Sequence, residues 1–202
     1  GEMDRLDLVV QKRRESFSEI PEPWDEDYED FLGVLKTTLM LESWINEDSE
    51  EKILEEYGVK PGDLQYKLNN CEWLIYSAQE LSRILKLKDS FRTLGELRIR
   101  VNYGVKKELL PLLKLKGVGR VRSRLLYNRG FKDLGDLKKA QFESLARIIG
   151  PSIAKNIKEQ LGEKANLDYL DKSENNNGKN NNLIKDESYP KGKQKVLNDF
   201  YK

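Results

Sequence analysis

The feature that most narrows what this chain can fold into is a stretch from Pro61 to about Leu87 with nothing in it to stop a helix. Pro61 suits the first helical turn, where its missing N–H is not needed, and no later proline interrupts the pattern. The stretch predicts one helix of about 27 residues, about 40 Å long, around which a small domain has to be arranged. Leu64, Leu68, Cys71, Ile75, Ala78 and Leu85 recur at helical spacing and mark the face to be buried. Tyr66, Asn70, Trp73 and Ser77 fall on the opposite side. Tyr66 and Trp73, two turns apart on a mostly polar stripe, make a ladder on which nucleic-acid bases can stack. The same pattern also suits a central helix packed on several sides, with Trp73 in the core.

The segments on either side read as helical too, and no stretch shows the sustained alternation of a strand. A first helix is expected over Asp4–Phe17, broken by Ile20-Pro21-Glu22-Pro23. A second starts near Asp25, with Tyr28, Phe31, Leu32, Leu35, Leu39 and Ile45 as its apolar stripe. The acidic run Asp25-Glu26-Asp27, with Glu29 and Asp30, reads as a first turn that complements the helix dipole rather than as a metal site. Glu47–Tyr57 reads as a short helix closed by Gly58. Beyond Gly104 the expected helices are smaller: Leu109–Lys116, Arg120–Asn128, Asp133–Ala140, Phe142–Ile149 and Ile153–Leu161. An all-α fold follows.

Within that last region lies an internal repeat. Leu115-Lys116-Gly117-Val118-Gly119-Arg120 opens one copy, and 31 residues on Arg147-Ile148-Ile149-Gly150-Pro151 opens a looser second, with Ser123 and Ala154 at matching places. The first copy resembles a helix–hairpin–helix DNA-binding motif. Its glycines let the backbone turn so that N–H groups at the next helix start face a phosphate. Val118 would plug the core, and Arg120, Arg122 and Arg124 would add mobile positive charge. Ile148 replaces Gly117 in the second copy, which is expected to bind phosphate poorly. A hairpin that only packs is the alternative.

Charge supports a phosphate partner. The net charge is only +1, yet residues 1–60 carry 7 Lys and Arg against 18 Asp and Glu, and residues 61–165 carry 22 against 11. A basic middle points to nucleic acid, unless the two regions simply neutralise each other. With no histidine and one cysteine, Cys71, the chain has no internal disulfide, no structural zinc site and no Ser-His or Cys-His nucleophile. No phosphate-binding loop of the Gly-x-x-x-x-Gly-Lys-Ser/Thr kind is present, so the chain by itself is not expected to be an enzyme. No apolar run is long enough for a bilayer, and no membrane partner is expected.

From about Asp171 to Gly192 the chain turns polar and asparagine-rich, which reads as a disordered tether. It ends in Gln194-Lys195-Val196-Leu197-Asn198-Asp199-Phe200-Tyr201, which resembles the box that docks replication and repair proteins onto the sliding clamp PCNA. In one tight helical turn Leu197, Phe200 and Tyr201 would form an apolar plug, with the Gln194 amide beside it.

Four runs then share a wider resemblance: Tyr57-Gly58-Val59-Lys60-Pro61-Gly62-Asp63-Leu64, Glu72-Trp73-Leu74, Tyr103-Gly104-Val105-Lys106-Lys107-Glu108-Leu109-Leu110 and Gly119-Arg120-Val121-Arg122-Ser123-Arg124-Leu125-Leu126-Tyr127-Asn128. Over roughly residues 1–162 the chain resembles the Hjm family of archaeal superfamily-2, Ski-like DNA repair helicases, some members of which carry the clamp box. The resemblance implies a helical-bundle ratchet domain over 1–103, a helix–hairpin–helix-like DNA-binding domain over 104–165 and a disordered tail over 166–202. It implies a parent enzyme that is an ATP-dependent 3′-to-5′ helicase, acting on forked or branched DNA at stalled replication forks in the archaeal cytoplasm, at the nucleoid. ATP and magnesium would belong to motor domains upstream. In the family a Trp matching Trp73 stacks on a base of the single strand, and an Arg stands where this chain has Tyr66. Stacking can therefore survive there without the charge. Arg120, Arg122 and Arg124 match the family's arginine cluster, with Ser123 where Ala is common. Two other functions remain open: a stand-alone adaptor between PCNA and another repair protein, and a DNA-binding domain detached from a nuclease.

Overall fold

The computed structural model describes residues 2–162, and the tail with its Gln194–Tyr201 box lies outside them. The described residues form α-helices and short 3-10 turns joined by loops, with no strand among them. Nine α-helices follow one another: α1 (Glu2–Lys12), α2 (Tyr28–Ile45), α3 (Glu50–Tyr57), α4 (Pro61–Ile84), α5 (Lys88–Tyr103), α6 (Arg120–Asn128), α7 (Leu134–Lys139), α8 (Phe142–Ile149) and α9 (Pro151–Gln160). None is long and apolar enough to cross a membrane.

Helix ends differ from the sequence expectation where side chains or turns compete for the backbone. The first helix stops at Lys12, and Arg14–Ser16 forms a 3-10 turn instead of continuing to Phe17. The second starts at Tyr28, not Asp25. The Asp25 carboxylate accepts the Glu22 N–H at 2.8 Å and the Asp25 N–H returns to the Glu22 carbonyl at 2.9 Å, so the acidic head is spent on a turn. Ser49 caps α3 by accepting the Lys52 N–H at 3.2 Å, leaving Glu47 outside the helix in the left-handed region at φ 71°. The expected helix Leu109–Lys116 is two 3-10 turns, Lys107–Leu109 and Leu112–Lys114. Pro111 lies between them and cannot donate the hydrogen bond that would join them. In contrast α9 starts two residues early, at Pro151, whose fixed φ suits a first helical position.

The sequence Tyr-Gly-Val-Lys occurs twice and does the same work twice. Gly58 and Gly104, at φ 61° and 62°, end α3 and α5, and the following valine N–H reaches back to Leu54 and Arg100 carbonyls at 3.2 and 3.3 Å. Tyr57 and Tyr103 are buried on the helix side of each cap. The end of α4 uses the same geometry without a glycine. Leu87 N–H bonds the Ser82 carbonyl at 2.9 Å and Lys86 N–H the Arg83 carbonyl at 3.2 Å, with Lys86 at φ 59°. This cap stops α4 at Ile84, and Leu85, expected on the buried face, is exposed.

Packing divides the chain into two compact units, with the boundary inside α4 between Cys71 and Glu72. In the first, Leu6, Leu32 and Leu35 form a core with Phe17 set edge-on to Phe31 at 5.6 Å between ring centres. Tyr28 Oη donates to Asp7 at 2.6 Å, tying α1 to α2. In the second, one core gathers Ile99, Tyr103, Val105, Leu109 and Leu113. A larger one lies among α6 to α9, with Val118, Leu126, Leu137, Leu145, Ala154 and Ile157 fully buried.

Candidate nucleic-acid interface

The α4 helix presents its two faces as the apolar periodicity requires. Leu64, Leu68 and Ile75 are buried, and Cys71 is half-buried, with its thiol pKa pushed up by desolvation. On the other side Tyr66 is 67% exposed and Trp73 64% exposed. Trp73 is therefore not a core residue. Seven residues make nearly two full turns, so the two rings share one stripe of the helix, about 10 Å apart along its axis. Ser77 on the same side donates its hydroxyl to the Trp73 carbonyl at 3.0 Å, while Asn70 is exposed. Aromatic rings held out from a long helix at this spacing are suited to stacking on successive unpaired bases.

Two further residues belong to this surface. Tyr76 lies one turn after Trp73 and is partly exposed, and Arg98 of α5 places its guanidinium 4.5 Å from the Tyr76 ring centre. Arg98 Nε also donates to Glu72 Oε1 at 2.7 Å, a bridge that holds α5 on the distal half of α4. Helical spacing alone ranks Tyr76 as a flank of the stripe. Arg98 comes from a different helix, and nothing in its local sequence pairs it with Glu72.

The first hairpin has the backbone its glycines imply. Gly117 sits at φ +84°, while a Cβ added there would meet only Ile153 Cδ1 at an ordinary 3.7 Å, so conformation rather than space demands glycine. Val118 is fully buried, as expected of a plug. Gly119 is the extended N-cap of α6 and offers no side chain to its first-turn N–H groups. The arginines are less mobile than the sequence suggests. Arg122 Nη1 donates to the Gly117 carbonyl at 3.1 Å and braces the turn. Arg124 pairs with Glu108 at 2.8 Å and lies 5.3 Å from the Tyr127 ring centre. Arg120 and Arg122 are half-buried and Ser123 is fully buried, its hydroxyl bonded to the Arg120 carbonyl at 2.9 Å.

The second hairpin, α8–Gly150–α9, keeps Ala154 where Ser123 stands but turns differently: Gly150 is at φ 85°, whereas the matching Gly119 is extended and the left-handed glycine of the first copy is Gly117. Its helix begins on Pro151, which has no N–H to offer an anion. The two copies are locked together by Gln160 of α9. Its side chain accepts the Lys116 N–H at 2.8 Å and donates to the Lys116 carbonyl at 3.0 Å, beside the first glycine. Lys158, buried in the same helix, donates to the Lys138 carbonyl at 2.8 Å near the end of α7.

Residues 1–104 match the family described as archaeal helicase, domain 4, and residues 109–163 match the SAM-like helix-hairpin-helix tandem. The chain belongs to the archaeal helicase domain 4 family. The family segments join near Gly104, whereas packing divides the helicase domain earlier, between Cys71 and Glu72. Similar proteins include the ATP-dependent DNA helicase Hel308 of Caldivirga maquilingensis, 45% identical over 170 residues, which are 78% of this chain and 22% of that protein. The Thermococcus kodakarensis Hel308 is 37% identical over 178 residues, 87% of this chain and 16% of the other. That of Pyrococcus horikoshii is 40% identical over 145 residues, 70% and 20% respectively. The chain thus spans 16–22% of the length of these curated relatives. The matches identify a region of an archaeal superfamily-2 helicase with a helix–hairpin–helix tandem.

Proposed function

We propose that this chain is the strand-handling, non-motor part of an Hjm-type ATP-dependent helicase that moves 3′ to 5′ on forked or branched DNA during replication-fork repair. The observation that carries the reading is the exposure of Trp73 on α4, within the segment matched to helicase domain 4. A tryptophan left about two-thirds exposed gains when a flat partner covers it, and an unpaired base is one of the right size. Trp73 and Tyr66 act as pawls: each holds a base between steps driven by a motor outside this chain, where ATP and magnesium are bound. Stacking is worth about 1–3 kcal/mol per base, enough to bias stepping without trapping the strand.

The first hairpin takes the backbone of the same DNA. Gly117 and Gly119 shape the turn, the start of α6 faces a phosphate, Arg120 supplies charge, Arg124 does so by exchanging Glu108 for phosphate, and Arg122 holds the turn in shape. Gln194, Leu197, Phe200 and Tyr201 recruit PCNA, and the protein works at the nucleoid in the cytoplasm. The test is fluorescence anisotropy of labelled single-stranded and forked DNA titrated with this chain at several salt concentrations. Salt-dependent binding that Trp73→Ala weakens about fivefold or more supports the reading. No binding even at low salt would overturn it and leave an adaptor function.

A further inference from the structure

The distal half of α4 carries a second aromatic surface built differently from Trp73. Tyr76 is 43% exposed, although one face of its ring is covered by the Arg98 guanidinium at 4.5 Å. That exposure belongs to the remaining face and edge of the ring. Arg98 is itself only 11% exposed at its side chain, and its Nε is fixed to Glu72 at 2.7 Å. Glu72, Trp73 and Tyr76 fall within one turn of α4, and the planar guanidinium reaches them from α5. The helix carries the tyrosine Cα, the guanidinium lies over one face of the ring, and the carboxylate holds the guanidinium.

We propose that Tyr76, backed by Arg98 and Glu72, is a further base-stacking surface that takes the nucleotide next to the one on Trp73. The inference rests on the reading that single-stranded DNA runs along α4. Residues three apart on a helix are neighbours, with about 5–6 Å between Cβ atoms. Their rings can therefore serve adjacent bases rather than the same one. A ring already held in place loses little freedom when a base settles on it, so a pre-stacked tyrosine binds better than a mobile one. Recognition is by the π-face and takes any base. Tyr76 is the contact residue, and Arg98 and Glu72 are positioning residues that act through it.

The experiment titrates the full chain and four variants, Trp73→Ala, Tyr76→Leu, Tyr76→Phe and Arg98→Lys, with a labelled oligothymidylate. Affinity is read by anisotropy of the labelled oligonucleotide for every protein, after each variant is shown to melt cooperatively. Tyr76→Leu is expected to weaken binding roughly 5- to 150-fold with no change in salt slope, and Tyr76→Phe to bind like the parent. Arg98→Lys keeps a charge for Glu72 but lacks the plate, so it should show a smaller loss. If Trp73→Ala weakens binding while Tyr76→Leu stays within twofold of the parent, the inference is wrong and the α4 reading stands. If neither variant weakens binding, both fall together. Should Tyr76→Leu not fold, photocrosslinking of the unaltered chain to an iodouracil oligonucleotide decides the matter. Adducts on Tyr76 as well as Trp73 support the second surface, and adducts on Trp73 alone overturn it.

Discussion

Replacing Gln79 by methionine should make this protein more stable. Gln79 is 2% exposed, on the buried side of α4, and neither its Nε2 nor its Oε1 has a hydrogen-bond partner among the described residues. A buried amide group left without partners costs about 1–3 kcal/mol relative to water. Methionine has nearly the same length and volume and a similar helix propensity, so the exchange removes that cost without opening a cavity. Allowing for imperfect packing of the thioether, the expected gain is about 1–2 kcal/mol. In a chain of this size each kcal/mol moves the melting temperature by about 2–4 °C, so a rise of about 2–8 °C is expected in a thermal melt followed by circular dichroism. Gln79→Glu should do the opposite, since it places a carboxylate in the same unpartnered site. A melting temperature that falls or stays level in Gln79→Met would refute the reasoning. It would mean that in solution the amide is satisfied by bound water and supports the helix.

Two further substitutions test local geometry. Lys86 holds a left-handed conformation at φ 59° in the cap of α4, which disfavours any residue with a Cβ by about 1–2 kcal/mol, so Lys86→Gly should raise the melting temperature by a few degrees and Lys86→Val lower it. A melt in which both variants fall would show that the lysine side chain matters more than its backbone. Arg122→Met removes the bond to the Gly117 carbonyl and should cost about 1–2 kcal/mol of stability, yet leave the slope of log K against log salt for DNA binding unchanged. A slope shallower by about one would instead make Arg122 a direct phosphate contact.

What the sequence made legible was mostly local. The buried and exposed faces of α4, the plug at Val118 and the glycine turn at Gly117 all follow from spacing and from residues with few conformational options. Helix ends were harder to read because neighbouring groups compete for the same backbone N–H. Asp25 is a good helix starter by composition, but its carboxylate is taken by Glu22, and Lys86 ends α4 where no glycine announces an end. Helix α5 carries Ile99 and Tyr103 into a core, yet its apolar residues are sparse among charges, so periodicity alone does not set it apart. The engagements of Arg98 with Glu72 and of Gln160 with Lys116 join residues 26 and 44 positions apart, and only folding brings them together. Arg122 and Arg124 illustrate the same gap: an arginine cluster is visible in a sequence, but which of its members are already bound within the protein is not.

The two DNA contacts proposed here differ in their physics, and salt can separate them. Residues 1–60 hold 18 acidic against 7 basic side chains, and residues 61–165 hold 22 basic against 11 acidic, so attraction to phosphate is confined to the later part of the chain. Contact with phosphates releases counterions and weakens steeply as salt rises, whereas stacking on Trp73 exchanges water for a base and carries no such dependence. At about 0.1 M salt, charges more than about 10 Å apart are largely screened, which shortens the reach of the hairpin's field. The loss caused by Trp73→Ala, expressed as a ratio of affinities, should therefore stay constant from about 50 to 300 mM salt. The loss caused by Arg120→Gln should shrink as salt rises, because the parent contact itself is fading. Titrations of both variants across that range decide the point. A Trp73→Ala ratio that collapses with salt would mean that the ring contributes by holding the strand near charge rather than by stacking, and the division of labour between α4 and the hairpin would have to be abandoned.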